Sequence, residues 1–250
     1  MTTDFLVVDE LSKSFGGVKA LDRLGFPVVQ GEVLGIIGLN GSGKTTLVNV
    51  ITGFIRPDSG HVRFRGKEIT GLPPEKISGL GIARTFQTVR PFHHLPAFKN
   101  LIVPLYSSRI RSAAGGGRWG DRDAVALDLL EEVGFERDSA VPYKPAAALP
   151  HGYLRRLELA RCLALRPEVI ITDELFSGLS SSEVGSLMPL MERLRERGIT
   201  LMMVEHRLRE LFQLAGRVIV MEQGRKIAEG PPQAIVADKA VRETYLGAEL

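Results

Sequence analysis

A glycine loop set between an apolar run and a helix-forming run constrains this 250-residue chain more than any other feature. Val33-Leu-Gly-Ile-Ile-Gly38-Leu-Asn-Gly-Ser-Gly43-Lys44-Thr45 ends in the spacing Gly-x-x-x-x-Gly-Lys-Thr, and Thr46-Leu47-Val48-Asn49-Val50 continues as a helix. Strand, glycine loop and helix in that order form the setting of a phosphate-binding loop. Glycines let the backbone curl so that successive N–H groups point at phosphate oxygens, and the following helix adds the partial positive charge of its N-terminus. Gly38, Asn40, Gly41, Ser42, Gly43, Lys44, Thr45 and Thr46 are therefore the candidate nucleotide-binding residues. Lys44 reaches the β- and γ-phosphates of a nucleoside triphosphate, and the Thr45 hydroxyl ligates Mg²⁺.

Such a loop needs a large folded sheet around it, and the composition supplies one. With 44% hydrophobic and 24% charged residues the chain reads as globular rather than disordered. A net charge of +3 is too small and too dispersed to argue for a nucleic-acid partner. The single cysteine, Cys162, excludes an internal disulfide framework, suits a reducing compartment, and lies in a leucine-rich helical pattern as a small buried hydrophobe. No apolar run approaches the roughly 20 residues that span a bilayer. The first residues, Met-Thr-Thr-Asp-Phe-Leu, lack the basic start and apolar core of a signal peptide. The expectation is a cytoplasmic chain that meets a membrane only through a partner.

Phe5-Leu-Val-Val reads as a first strand, with turns at Gly16-Gly17 and Gln30-Gly31, and Val62, Phe64 and Ile69 alternate around Gly66-Lys67 as an antiparallel hairpin. Gly81 to Phe86 is a strand leading to Gln87. Residues 96–149 change character: Asp121 caps a helix with Val125, Leu129 and Val133 on one face, after a flexible loop at Gly115-Gly116-Gly117 in which Trp119 is a surface anchor or a functional group. Beyond Pro150 strands and helices alternate. Leu154, Leu157, Ala160 and Ala164 form one helix face, Val169-Ile-Ile-Thr a buried strand, and Val184, Leu187, Met191 and Leu194 a second helix. Ile199–Val204 and Val218–Met221 are further strands, with Gln223-Gly224 turning into Lys226. The fold class is α/β: a P-loop nucleotide-binding protein with a mostly parallel core sheet, an N-terminal antiparallel β subdomain and a helical insertion. Residues 1–250 form one domain, with 1–95 and 150–250 as the core and 96–149 as the helical subdomain.

Ile170-Ile-Thr-Asp173-Glu174 is an apolar strand ending in two carboxylates. At the carboxyl edge of a parallel sheet Asp173 supports Mg²⁺, and Glu174 faces the γ-phosphate side, where a carboxylate polarises an attacking water. Val204-Glu205-His206 ends the next strand, bringing His206 toward the γ-phosphate. His61, His93, His94 and His151 show no metal-ligand spacing, so no zinc site is assigned.

P-loop, Gln87 after a strand, helical insertion, Leu149-Pro-His-Gly-Tyr-Leu-Arg-Arg156, Asp173-Glu174 and His206 occur in an order that resembles the ATP-binding subunit of an ABC transporter over essentially the whole chain. The resemblance implies ATP and Mg²⁺ as ligands. It implies that Phe15 stacks on adenine, that Gln87 ligates Mg²⁺ or water and links core to insertion, and that Glu174 is the catalytic glutamate and His206 the switch histidine. It places Pro150, His151, Gly152 and Tyr153 at the signature, which meets ATP bound to the opposite subunit of a dimer, and Ser177-Gly-Leu-Ser180 at the D-loop. Gly81-Ile-Ala-Arg-Thr-Phe-Gln, Arg155-Arg-Leu-Glu-Leu-Ala-Arg and the ending Tyr245-Leu-Gly-Ala-Glu are similar to the larger ATPase of branched-chain amino-acid importers. The ending also occurs in the lipopolysaccharide-export ATPase.

The chain departs from the family pattern in three segments, all at the family's dimer interface. Pro150, His151 and Tyr153 replace three of the five signature residues Leu-Ser-Gly-Gly-Gln, Leu175 replaces the usual proline after Asp173-Glu174, and Ser180 replaces the D-loop aspartate. The expectation is an ATP-hydrolysing subunit of an importer for branched-chain or related amino acids, peripheral on the cytoplasmic face and bound to membrane-spanning permease subunits. The permease docks beside Val89-Arg-Pro-Phe-His-His-Leu95, or that run is a solvated loop with a few anchors. A heterodimer with a second ATPase is favoured over a homodimer, since a defective signature then burdens one site only. The alternatives are an exporter ATPase of the lipopolysaccharide type and a poorly hydrolysing regulatory ATP binder. A soluble ABC protein acting on DNA or the ribosome is disfavoured, because the chain has neither a second ATPase unit nor sustained heptads.

Overall fold

Five short apolar runs become adjacent parallel strands at the centre of the molecule. The computed structural model describes residues 5–107, 109–110 and 121–244; the expected glycine loop at Gly115–Gly117, Trp119 and the ending Tyr245–Glu249 lie outside them. One six-stranded sheet has the order β10-β9-β3-β8-β7-β6. Its members are β3 (Val33–Ile37), β6 (Ile82–Arg84), β7 (Val169–Asp173), β8 (Thr200–Val204), β9 (Arg217–Glu222) and β10 (Arg225–Gly230). All pairings are parallel except the β9–β10 hairpin. A second, antiparallel sheet of order β2-β1-β4-β5 comprises β1 (Leu6–Phe15), β2 (Val18–Val28), β4 (Ser59–Phe64) and β5 (Lys67–Glu68). The α/β class and both sheet types agree with the sequence reading.

Because side chains alternate along a strand, each central strand feeds two cores. Leu34, Ile36, Ile171, Met202, Val204, Ile219 and Met221 join the antiparallel sheet and α1 (Lys44–Ile51) in one cluster. Val33, Ile37, Ile170, Leu201, Met203, Val218 and Val220 meet most of the other helices in a second. β7 and β8 are buried at every position, as expected for strands covered on both faces.

The second core also takes Leu101, Leu105, Leu130, Phe135 and Leu149 from the stretch between the two core segments. That stretch holds a 3₁₀ turn at Phe98–Leu101, α2's successor α3 (Ile102–Leu105) and α4 (Arg122–Glu132), α2 itself being Pro74–Leu80. Asp121 caps α4 as expected, accepting from Asp123 N at 2.9 Å and Ala124 N at 3.4 Å. Part of the face is rotated by one residue from the expected one. Ala126 and Leu130 are fully buried, as is the expected Val133, whereas Val125 and Leu129 only flank the core; the helix packs against the 3₁₀ turn, α3 and α5 (His151–Leu163). α6 (Ser181–Glu196) buries Val184, Leu187, Met191 and Leu194 as read from sequence. α7 (Leu208–Leu214), α8 (Pro232–Ala237) and α9 (Lys239–Thr244) follow. Among the described residues no helix is long and apolar enough to cross a membrane.

Candidate nucleotide-hydrolysis site

The loop between β3 and α1 can form only with glycine at two of its corners. At Gly43 φ is +102°, and a Cβ would stand 2.2 Å from the Ala20 carbonyl oxygen; at Gly38 a Cβ would stand 2.2 Å from that of Met221. Gly43 is also the N-cap of α1, with no side chain capping the helix and no acidic residue in its first turn. The first N–H groups of α1 are thus left for an external anion. Lys44 is buried and folded over the loop, donating to the carbonyls of Gly38 at 2.6 Å and Leu39 at 2.9 Å. Burial pulls its ammonium below the ordinary lysine range, while Glu174 and Asp173 oppose the shift. Phe15, at the end of β1, is 47% exposed with the Lys13 ammonium 5.4 Å from its ring centre, so one aromatic face is open to a planar ligand.

Two of the sequence candidates converge on the carboxylate of a third. Glu174 follows β7 with φ +54°, an uncommon backbone for a non-glycine residue. Its Oε1 lies 3.0 Å from His206 Nε2, and its Oε2 accepts from Gln87 Nε2 at 2.9 Å. Asp173 is 1% exposed: Oδ2 accepts from Arg84 Nη2 at 2.9 Å, and Oδ1 is buried with no hydrogen-bond partner. Burial raises its carboxyl above the ordinary range, opposed by Arg84. A hard oxygen left unpartnered beside a phosphate loop fits Mg²⁺. No group of three or more His, Cys, Asp or Glu among the described residues could hold a metal alone, so such an ion would depend on nucleotide oxygens as well.

Two of the signature candidates, His151 and Gly152, face residues of the 177–183 segment, and Tyr153 faces elsewhere. Pro150 is the N-cap of α5, His151 Nε2 lies 3.4 Å from the Ser177 carbonyl oxygen, and the Tyr153 ring packs edge-on against Phe135 at 4.9 Å. Gly152 is buried against Glu183, whose Oε1 would lie 2.3 Å from an added Cβ. Ser180 has a local role: it caps α6 in a capping box, accepting from Glu183 N while Glu183 Oε2 accepts from Ser180 N at 2.8 Å. Cys162 is buried as expected, and burial pushes its thiol up, which leaves it inert.

Several polar residues that support the site carry no individual role in the sequence reading. Arg155, 3% exposed, donates to the carbonyls of Phe86 and Gln87, both at 2.9 Å, and thereby shapes the Gln87 segment. Glu158 accepts from Phe86 N at 2.8 Å, and burial pushes its carboxyl up to about 7. Glu205 accepts from Phe176 N at 3.3 Å, also takes the Leu175 N–H, and is pushed up to about 8, mainly by burial. Leu175 thus contributes an N–H that proline lacks. Asn100, fully buried, binds the backbone of Phe92, Leu95 and Pro96 and sets the course of the 89–95 run. Of that run, Arg90 lines a groove of about 480 Å³ bounded by α2, β6 and α5. The signal for Glu205 and Arg84 was a charge placed at the end of a short apolar strand.

Comparison with known proteins agrees with this geometry. The ABC transporter family profile matches residues 21–177, and a profile of branched-chain amino acid ATP-binding cassette transporters matches residues 225–250. The high-affinity branched-chain amino acid transport ATP-binding protein BraF of Pseudomonas aeruginosa is 35% identical over 99% of each chain. The probable branched-chain amino acid transport ATP-binding protein LivG of Archaeoglobus fulgidus is 35% identical over 98% of this chain and 96% of its own. An ATP-binding cassette of an ABC transporter crystallised in its ADP conformation superposes with a TM-score of 0.84 at 32% identity, covering 98% of this chain and 100% of that one.

Proposed function

The chain belongs to the ABC transporter family as an ATP-binding, ATP-hydrolysing subunit, and from that premise we propose that it energises an importer of branched-chain or related amino acids. The full-length likeness to two transport ATPases named for that substrate class carries the substrate assignment. Family ATPases work with membrane permeases, and this chain acts with them at the cytoplasmic face. In this reading Phe15 stacks on adenine, and Gly38, Asn40, Gly41, Ser42, Gly43 and Thr46 cradle the phosphates with the α1 N-terminus. Lys44 exchanges its two loop carbonyls for phosphate oxygens. Thr45, Asp173 and Gln87 would hold Mg²⁺, whose charge would offset that of the phosphates. Glu174 is the general base that orients and deprotonates the attacking water, and Gln87 and His206 fix its two oxygens.

Pro150, His151, Gly152 and Tyr153 serve the nucleotide of a second subunit. Pro150 supplies neither hydroxyl nor N–H there, and His151 adds bulk, which supports a heterodimer in which ATP at Lys44 is the one hydrolysed efficiently. The test is leucine uptake by cells that lack the chain and are complemented with wild type or Lys44→Ala. Uptake restored by wild type and absent with the variant is expected. Uptake equal in the two strains removes the assignment.

A further inference from the structure

We propose that Arg84 is a positioning residue that holds Asp173 for Mg²⁺ and draws its own support from the aromatic wall of the groove between α2 and α5. The proposal rests on the reading of Asp173 as a metal ligand. Arg84 ends β6, and its register partner Ile171 lies on β7, two residues before Asp173, so the side chain runs beside the carboxylate. Only 8% of it is exposed. Nη2 donates to Asp173 Oδ2 at 2.9 Å, Nη1 to Asn49 Oδ1 at 2.6 Å and Thr52 Oγ1 at 3.2 Å, and Nε to the Thr85 carbonyl at 3.3 Å.

Those partners lie on two elements that matter. Asn49 belongs to α1 and Thr52 caps its end, and α1 carries Thr45 in its first turn. One planar guanidinium therefore spans the helix bearing one candidate metal ligand and the strand end bearing the other. It also fixes the rotation of the Asp173 carboxylate, because one oxygen is tied while Oδ1 stays buried and unpartnered. A group that only neutralised a buried carboxylate would have no need to bind α1.

On its far side the guanidinium carbon lies 4.8 Å from the Phe86 ring centre and 5.5 Å from that of Phe54. The two rings meet edge-on, and both line the groove with Arg84. Phe54 is 52% exposed and touches neither Asp173 nor the phosphate loop in any hydrogen bond or ring contact of the described residues. The groove wall and the metal-facing carboxylate thus share one side chain.

The experiment is calorimetric titration of ATP into the purified full chain, with Mg²⁺ and with EDTA. The proteins compared are wild type, Arg84→Lys, Phe54→Ala, Asp173→Asn and the Arg84→Lys/Asp173→Asn double variant. Lysine keeps the charge but cannot bridge α1 and Asp173 together. Arg84→Lys should weaken ATP binding about tenfold in Mg²⁺, the scale of one charged hydrogen bond, and change it less than about twofold in EDTA. Phe54→Ala, at an exposed site that tolerates truncation, should shift the same ratio about two- to threefold. In the Asp173→Asn background Arg84→Lys should add nothing. An unchanged Mg²⁺-to-EDTA ratio in Arg84→Lys overturns the proposal, as does an equal loss in EDTA, which would make Arg84 a support of the loop alone. A wild-type chain that gains nothing from Mg²⁺ overturns the reading of Asp173 and this proposal with it, whereas an unaffected Arg84→Lys ratio beside a Mg²⁺-dependent wild type overturns this one only.

Discussion

Nε2 of His206 stands 3.0 Å from Oε1 of Glu174, across the gap between two adjacent parallel strands. With Gln87 on the other oxygen, both oxygens of the carboxylate have a side-chain partner. Glu174→Gln should keep ATP affinity and lower phosphate release at least about a hundredfold, the usual range for a lost general base. It should also accumulate as an ATP-bound dimer on gel filtration. Unchanged turnover would leave Glu174 a strand-end carboxylate and pass the orienting role to His206.

Gly43→Ala should cost the fold about 1–3 kcal/mol and abolish ATP binding, since φ of +102° and a carbonyl 2.2 Å from the new methyl both oppose it. Thermal unfolding and ATP titration measure the two effects. A variant of wild-type stability that binds ATP would mean the loop corner is not built as described.

Glu205 makes stability fall as pH rises. Its ordinary value is 4.5 and its folded value about 8, so between these the unfolded state releases a proton that the folded state keeps. The stabilising contribution is fully present below about pH 4.5 and is lost as pH climbs through about 8. Glu205→Gln keeps a carbonyl oxygen for the Phe176 N–H and cannot ionise. Its melting temperature should match that of wild type near pH 4.5 and exceed it increasingly toward pH 8, a gain of a few kcal/mol at most. A difference that is constant with pH would show that the carboxyl is ionised in the fold.

Pro150→Ser with His151→Gly should raise the ATPase rate of the isolated chain at least about tenfold, because the restored hydroxyl adds a hydrogen bond to a charged phosphate group of the second subunit. It also removes the His151 contact with the Ser177 carbonyl. If phosphate release is unchanged, the signature does not limit the homodimer and the asymmetry argument falls.

Much of this site was legible in order along the chain. Motifs such as the phosphate loop, Asp173-Glu174 and Gln87 depend on local backbone and on strand ends, and both leave spacing signals. Part of the α4 face was misread by one residue, because Val125, Leu129 and Val133 and the buried Ala126, Leu130 and Val133 fit one helical stripe almost equally well, and only the placement of the neighbouring elements decides between them. Arg84, Arg155, Glu158 and Glu205 were missed for a different reason. Spacing along the chain does not show that each is met by a backbone group or a carboxylate from a distant segment, and that partner is what lets the charge be buried.

Arg155 has a mechanical consequence. Its guanidinium leaves α5 and binds the Phe86 and Gln87 carbonyls on one side and the Ser177 carbonyl, at 3.4 Å, on the other. It therefore ties α5 to the backbone bearing Gln87 and to the turn after Glu174 at once. Gln87 and Glu174 also grip each other through their side chains, so the linkage is a closed loop with little slack. Two side chains, Arg155 and Gln87, thus connect α5 to the Glu174 carboxylate.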